Sequence, residues 1–203
     1  TLEAYKSLGE GMISSINIIA DDMGSLEINP EGKIVGYGTE TGAFLRLDDL
    51  KQGYAFGQID RSIIMNANQV NARIIIPVSD YSMIMKGVEV DFVFYANNYD
   101  KVDASCSVIE KIDNVDMAFG IFRQGAVMSK GTTNTTGLVN SYFANIFGPV
   151  QYIEKHDKVA KDFFEQFYKN GTFVGQIRTQ LGIDGMEQIG PEIAARELLK
   201  LIS

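Results

Sequence analysis

Apolar and polar positions along the chain follow two periods, that of a strand and that of a helix. Residues 88–95 carry apolar side chains at every second position, which predicts a strand. Residues 156–169 carry them three to four positions apart, and Asn-Gly at 170–171 follows as a C-terminal cap, which predicts an amphipathic helix. The predicted apolar face of this helix consists of Val159, Phe163, Phe167 and Tyr168.

Shorter apolar runs bounded by glycine, proline and aspartate extend the prediction over the rest of the chain. Further strands are predicted at residues 16–20, 33–36, 44–47, 62–65, 73–78, 141–147 and 173–177. Further helices are predicted at residues 1–13, 105–112, 115–122 and 191–201. Strands that alternate with helices indicate an α/β fold, a mixed sheet with flanking helices. Because no internal repeat or linker is visible, we expect a single domain over residues 1–203.

Composition narrows the function classes. Eighteen basic and twenty-six acidic residues give a net charge of −8, which argues against a nucleic-acid-binding protein. No run approaches the roughly 20 apolar residues of a membrane helix, so we expect no membrane partner. The only cysteine, Cys106, excludes an internal disulfide framework and a cysteine-based zinc site within this sequence. We therefore expect a reducing, cytoplasmic location.

Two adjacent carboxylates, Asp21 and Asp22, follow the apolar run at 16–20. A carboxylate pair at the end of a buried strand is suited to holding a hard cation near phosphate groups. One carboxylate can bind the metal directly and the other through water. The alternative interpretation is a solvated turn, because aspartate is common where strands end.

Glu40 and Arg73 are two further candidates. Glu40 lies between Gly38 and Gly42, which allow close approach of the backbone to a ligand, so its carboxylate could accept a proton or position a metal-bound water. Arg73 enters an apolar run and needs an anionic partner, for which a phosphate oxygen is suited. The alternatives are a β-turn glutamate and a structural ion pair.

Residues 125–137 form a polar tract without core periodicity and are predicted to be a long mobile loop. The tract contains Lys130, Gly131 and Thr132, and a lysine with threonine hydroxyls and backbone amides is suited to phosphate binding. We interpret it as a lid, and the alternative is an ordinary exposed loop. The only histidine, His156, is interpreted as a capping or surface residue.

The order of these motifs resembles the phosphoenolpyruvate carboxykinases, particularly the ATP-dependent type. The sequence IIADD at 18–22 is similar to the family's strand that ends in Gly-Asp-Asp. ETGAFLR at 40–46 is similar to its Glu-Gly-Gly-Cys-Tyr-Ala-Lys, and NAR at 71–73 to its Asn-Thr-Arg. FANIFG at 143–148 is similar to its Phe-Ser-Ala-Cys-Phe-Gly. The motifs are short, but they are collinear over nearly all 203 residues.

The resemblance implies phosphoryl transfer in the family's nucleotide-binding domain, with kinase or lyase chemistry. It implies that Asp21 and Asp22 serve Mg²⁺ or Mn²⁺, and that Arg73 bridges the phosphoryl group and a small-molecule acid. Glu40 would be an active-site carboxylate near the nucleotide phosphates. ATP, or another nucleoside triphosphate, would be bound with the help of Arg46, Lys130, Gly131 and Thr132.

Several positions depart from the family's pattern. Asn97 or Asn98 stands where the family has aspartate, Arg46 stands for its lysine, and residues 184–188 replace its base-binding segment. The family's P-loop would precede Thr1, so we expect the chain to be a fragment that is inactive without the rest of its parent chain. A catalytically inactive nucleotide- or protein-binding module of the same fold is an alternative, and a structural assembly module is another.

Overall fold

The computed structural model describes residues 13–21, 23–46, 63–65, 73–130, 136–145 and 150–203, and residues 1–12 of the first predicted helix lie outside them. The chain divides into two compact units. One is Ile16–Val90, and the other is Asp91–Ser203 together with Thr1–Ser15. The single domain expected from the sequence stays a prediction, and the two units are described separately.

The unit Ile16–Val90 contains two small antiparallel sheets and a short helix. Its first sheet has the strand order β1-β2-β6, with β1 at Gly24–Ile28, β2 at Ile34–Gly38 and β6 at Val88–Glu89. Its second sheet has the order β3-β5-β4, with β3 at Gly42–Arg46, β4 at Ile63–Met65 and β5 at Arg73–Pro77. Helix α1 is Tyr81–Lys86.

The core of this unit follows the alternation of its strands. Ile74 and Ile76 of β5 are buried, and so is Ala43 of β3, which pairs with Ile76. Phe44, which follows Ala43 and pairs with Ile75, is exposed. Ile34 of β2 and Ile84 of α1 complete the set of buried apolar side chains described here. One face of the second sheet is therefore turned to the core.

Among its described residues, the other unit contains a mixed sheet, a hairpin and three α-helices. The sheet has the order β7-β11-β8, in which β7 (Phe92–Asn97) is parallel to β11 (Phe173–Arg178), and β8 (Ile109–Lys111) is antiparallel to β11. The hairpin joins β9 (Ala126–Lys130) and β10 (Thr136–Asn140). The helices are α2 at Val115–Gln124, α3 at Ile153–Asn170 and α4 at Ile189–Ile202. A mixed α/β class with several small sheets is thereby confirmed.

Aromatic edge contacts hold α2 and α3 together. The ring of Phe122 on α2 lies 5.1 Å from that of Phe164 on α3, and Tyr95 of β7 meets Phe122 at 5.4 Å. Phe164 and Phe167 are the buried positions of α3, while Val159 is 52% exposed. The predicted apolar face is therefore correct at Phe167 and wrong at Val159. Gly171 caps the helix with φ of 75°, as the Asn-Gly pair predicted.

Three predicted elements are wrong. Residues 16–20 form no strand, and residues 105–112 form a turn followed by β8 instead of a helix. The Asp103 carboxylate accepts hydrogen bonds from the backbone and hydroxyl of Ser105 at 2.7 Å, which favours a turn over a helix. Residues 141–147 contain the 3₁₀ turn Tyr142–Ala144 in place of a strand, because Phe143 and Ala144 adopt positive φ.

Two further predictions are corrected in their bounds. The strand expected at 88–95 is split between Val90 and Asp91, where the two units meet in sequence, so its alternation belongs to two different sheets. The loop expected at 125–137 is a hairpin over most of its length, since Val127 pairs with Val139 and Met128 with Leu138. The polar residues at 129–137 interrupt the apolar alternation, so the sequence pattern did not predict the two strands.

Buried polar side chains gather where the parallel strands β7 and β11 end. Asn97 is 0% exposed, and its amide oxygen accepts hydrogen bonds from the backbone of Tyr99 and Asp100 at 3.1 and 3.0 Å. Arg178 is 6% exposed and donates to the Ser107 carbonyl at 2.7 Å and to Glu110 at 2.6 Å. These partners offset the cost of burying an amide and a guanidinium.

Asn98 connects this region to the hairpin. Its side chain donates to the Met128 carbonyl at 3.0 Å and accepts from the Met128 amide at 2.8 Å. The side-chain amide of Asn98 thus bonds both main-chain groups of Met128, as a residue of a neighbouring strand would. We expect Asn98 to fix β9 in place beside the end of β7.

We predict that Asn98→Ala lowers the free energy of unfolding by about 1–3 kcal/mol, because both main-chain groups of Met128 lose their partner. Urea denaturation followed by circular dichroism measures this change. Asn140→Ala, at an exposed position of β10, is the matched control and is expected to change stability by less than about 0.5 kcal/mol. Equal effects of the two substitutions would contradict the role of Asn98.

The 3₁₀ turn is held by a hydrogen-bonded network. The Tyr142 hydroxyl lies 2.8 Å from Nδ1 of His156 and 2.8 Å from Oδ1 of Asp157. Arg123 donates from Nε to both carboxylate oxygens of Asp157, which lowers the pKa of that carboxyl. A charged Asp157 only accepts, so the Tyr142 hydroxyl donates to it and Nδ1 of His156 carries the proton that Tyr142 accepts. His156 is therefore a network residue and not a surface cap.

The Tyr142 network predicts an alkaline dependence of stability. Burial and then the bond to Asp157 raise the pKa of Tyr142 to about 12. Its contribution is fully present below about pH 10, the pKa in the unfolded chain, and is lost as the pH rises toward 12. We predict that Tyr142→Phe destabilises the protein by about 1 kcal/mol at pH 8 and flattens its stability profile above pH 10.

Tyr152→Phe is the control for this prediction, because Tyr152 is 59% exposed. Denaturation at pH 8 to 12 is measured for both variants and the unaltered chain, and the tyrosine absorbance change near 295 nm gives the titration directly. Because burial also raises the pKa of Tyr95 to about 12, the difference between variant and unaltered chain is the informative quantity. An unchanged profile in Tyr142→Phe would contradict the prediction.

Candidate functional site

Two of the predicted site residues, Asp21 and Glu40, lie on segments that exchange hydrogen bonds. Oδ2 of Asp21 accepts from the amide of Phe44 at 3.1 Å, and Oε1 of Glu40 accepts from the amide of Met23 at 3.3 Å. The hydroxyl of Thr39 donates to the Met23 carbonyl at 2.9 Å. The segment at 21–23 is thereby fixed along the free edge of β3 by side chains of both segments.

The segment that carries Asp21 is irregular and depends on side chains for its position. It precedes β1 without joining a sheet, so the carboxylate does not end a strand as the sequence predicted. The Ser79 hydroxyl, which follows β5, donates to the carbonyl of Ile18. Contacts from Ser79 and Glu40, at the end of the sheet where Gly42 pairs with Pro77, and from Phe44 in the middle of β3 thus hold the segment that carries Asp21.

Arg46 and Arg73 are brought opposite each other by strand register. They form the last pair of the antiparallel strands β3 and β5. The register places them on the face opposite the buried Ala43, Ile74 and Ile76. Two positive residues directly opposite in a sheet are unfavourable unless an anion lies between them. The register therefore brings two arginine positions together where β3 ends and β5 begins.

The other predicted site residues lie outside the described residues or in the other compact unit. Asp22, Gly131 and Thr132 lie outside the described residues. Lys130 ends β9, in the other compact unit, and is placed there by its backbone. The structure thus joins Asp21 with Glu40, and Arg46 with Arg73, within the unit Ile16–Val90.

The described carboxylates do not form a closed metal cage. Among the described residues, no group of three or more histidine, cysteine, aspartate or glutamate side chains could hold a metal ion. Mg²⁺ bound with a nucleotide requires only one or two protein carboxylates, because waters and phosphate oxygens complete its octahedron. Oδ1 of Asp21 accepts no hydrogen bond from the described residues, which leaves this oxygen for such a role.

A groove of about 700 Å³ that no sequence pattern predicted lies between the first sheet and α1. Its lining includes Ser25 and Glu27 of β1, Tyr37 of β2, Glu40, and Tyr81 and Met85 of α1. The alternation of β1 and β2 places Ser25 and Tyr37 as a register pair on one face, and α1 forms the opposite wall. The turn signal Asn-Pro-Glu-Gly at 29–32 predicts the hairpin, but the packing of α1 against it has no local signal.

Comparisons with known proteins give no assignment. Neither a protein-family model, nor a curated protein, nor a solved structure matches this chain. No helix among the described residues is long and apolar enough to cross a membrane.

We predict that Asp21→Ala accelerates hydrogen exchange at the Phe44 amide about tenfold, since this amide loses its acceptor. Asp21→Asn is the matched control, because its amide oxygen can still accept this bond. Exchange at residue 44 is measured by NMR. The same rate in both variants would show that the carboxylate does not hold the segment at 21–23.

Proposed function

We propose that the chain belongs to a metal- and nucleotide-dependent phosphoryl-transfer protein whose nucleotide-binding domain resembles that of phosphoenolpyruvate carboxykinase. The observation that carries this proposal is the placement of opposite charges in one unit. Asp21 and Glu40 lie on hydrogen-bonded segments at the edge of β3, while Arg46 and Arg73 are paired where β3 meets β5. Phosphoryl transfer needs both, a cation held by carboxylates and positive groups for the phosphate oxygens.

Asp21 and Asp22 are assigned to the metal ion in this proposal. Mg²⁺ and Mn²⁺ prefer carboxylate oxygens, and Oδ1 of Asp21 is available for one, directly or through water. The hydrogen bond from Phe44 fixes the direction of this carboxylate. Asp22, the next residue in the chain, would supply the second carboxylate. The bound metal would neutralise charge on the nucleotide phosphates.

Arg73 and Glu40 are assigned to the reacting groups. Arg73 would bind the transferred phosphoryl group and the small-molecule acid through its planar donors, and Arg46 would add charge beside it. Glu40 would act near the nucleotide phosphates, where the bond from the Met23 amide positions its carboxylate. These roles follow the resemblance position by position.

Lys130, Gly131 and Thr132 are assigned to phosphate binding at a lid. Lys130 ends β9, and Gly131 and Thr132 follow it in the sequence. By the resemblance, this part of the chain would be a lid that excludes water from the transfer step.

We predict that the intact protein binds Mg²⁺–ATP and that Asp22→Asn weakens this binding at least about tenfold. Arg73→Gln is expected to retain most of the nucleotide affinity and to lower phosphoryl transfer by about two to three orders of magnitude. Calorimetry with and without Mg²⁺ measures binding, and release of labelled phosphate measures transfer. Glu31→Gln, in the exposed turn between β1 and β2, is the control variant.

The outcomes separate the proposal from its alternatives. Binding without turnover, unaffected by Arg73→Gln, would favour a catalytically inactive nucleotide-binding module. The absence of Mg²⁺-dependent nucleotide binding by the intact protein would contradict the proposed function.

A further inference from the structure

Strand β1 is the edge of its sheet and directs backbone groups away from β2. The Asn29 amide donates to the Lys33 carbonyl, and the Ile34 carbonyl accepts from Val90 on the β6 side. Hydrogen-bonded pairs alternate along an antiparallel ladder, so Ser25 and Glu27 bond to β2 while Leu26 and Ile28 point outward. No described residue bonds the outward amides and carbonyls of Leu26 and Ile28. Within the part of the chain that the structure describes, this edge is therefore open to pairing with another strand.

The groove next to this edge is lined by carboxylates and aromatic rings. Glu27 and Glu40 contribute the charges, Tyr37 and Tyr81 the rings, and Met85 a thioether, and none of the described lining residues is basic. Tyr81 is 70% and Met85 50% exposed. Carboxylates that adjoin tyrosine rings recognise guanidinium and ammonium groups through ion pairs and cation–π contacts. The groove is thus complementary to a positive side chain with an aliphatic stem.

We propose that β1 and this groove form a docking site for an extended, basic peptide segment of a partner protein. The segment would add a strand to β1 by pairing with the outward groups of Leu26 and Ile28. Its side chains alternate between the two faces of the sheet, so every second residue would lie on the face of Ser25 and Glu27. An arginine or lysine at such a position would reach the groove.

Charge and shape decide the occupant. A second copy of this chain would bring the same carboxylates and a net charge of −8, so electrostatic repulsion opposes self-association at this edge. A small amine would use the groove and leave the outward backbone groups of β1 unpaired. A basic strand satisfies both features together. This inference does not depend on phosphoryl transfer, because the pairing groups of β1 have no part in that proposal.

Binding of a seven-residue, acetylated and amidated peptide of alternating arginine and valine to the full chain tests the inference. Fluorescence anisotropy at low salt is expected to show saturable binding, and the same peptide with glutamate for arginine is expected not to bind. Glu27→Gln should weaken binding about three- to fivefold. Glu31→Gln, outside the groove lining, is the matched control.

The strand pairing has its own readout. Bound peptide should slow hydrogen exchange at Leu26 and Ile28 and leave Ser25 and Glu27 unchanged, since these already bond to β2. N-methylation of alternate peptide amides should abolish binding in one register and be tolerated in the other. Equal binding of the arginine and glutamate peptides, or unchanged exchange at Leu26 in the complex, would overturn the proposal. Dimerisation through β1 that the peptide does not disrupt would also overturn it.

Discussion

The unit Ile16–Val90 depends on a reciprocal pair of side-chain to main-chain hydrogen bonds. Asp21 accepts from Phe44, and Glu40 accepts from Met23, so each segment supplies one carboxylate and one amide. Without this exchange the irregular segment before β1 would lose its bonds to Phe44 and Glu40, and the Phe44 amide would lose its acceptor. The same bonds set where the candidate carboxylates lie and form one end of the groove at Glu40.

The sequence predicts a helix or strand well where a single hydrophobic periodicity covers the whole element and one face of it packs on the core. The helix at 156–169 and the strand at 173–177 agree with α3 and β11 within a few residues, because amphipathic periodicity, a glycine cap and a buried apolar run act together. The single strand predicted at 88–95 was wrong because the alternating pattern there continues through two short strands that belong to different sheets. The helix predicted at 105–112 was wrong because the hydrogen bond from Ser105 to the Asp103 side chain stabilises a turn there.

The candidate site was predictable in part. The residue pattern, together with the family resemblance, selected Asp21 and Glu40, and the structure places their segments in contact. It also selected Arg46 and Arg73, which are partners in the register of β3 and β5. The groove was not predictable, because it arises from the packing of α1 on the face of β1 and β2. The open edge at Leu26 was not predictable either. It depends on which residues of β1 form the hydrogen-bonded pairs with β2, and residue types do not indicate this.

The distribution of charge within this unit explains why two binding roles can coexist there. The paired arginines lie where β3 ends and β5 begins, on the face opposite Ala43 and Ile74, and are the proposed anion-binding residues. Glu27 lies on β1, in the other sheet, and favours a cation. Glu40 belongs to both neighbourhoods, because it is bonded to Met23 beside Asp21 and also lines the groove. A positive peptide side chain near Glu40 would lower the negative potential at Asp21, and a metal ion at Asp21 would weaken attraction in the groove. Binding at either site is therefore expected to weaken binding at the other. The shared carboxylate of Glu40 would transmit this effect, without a change of fold.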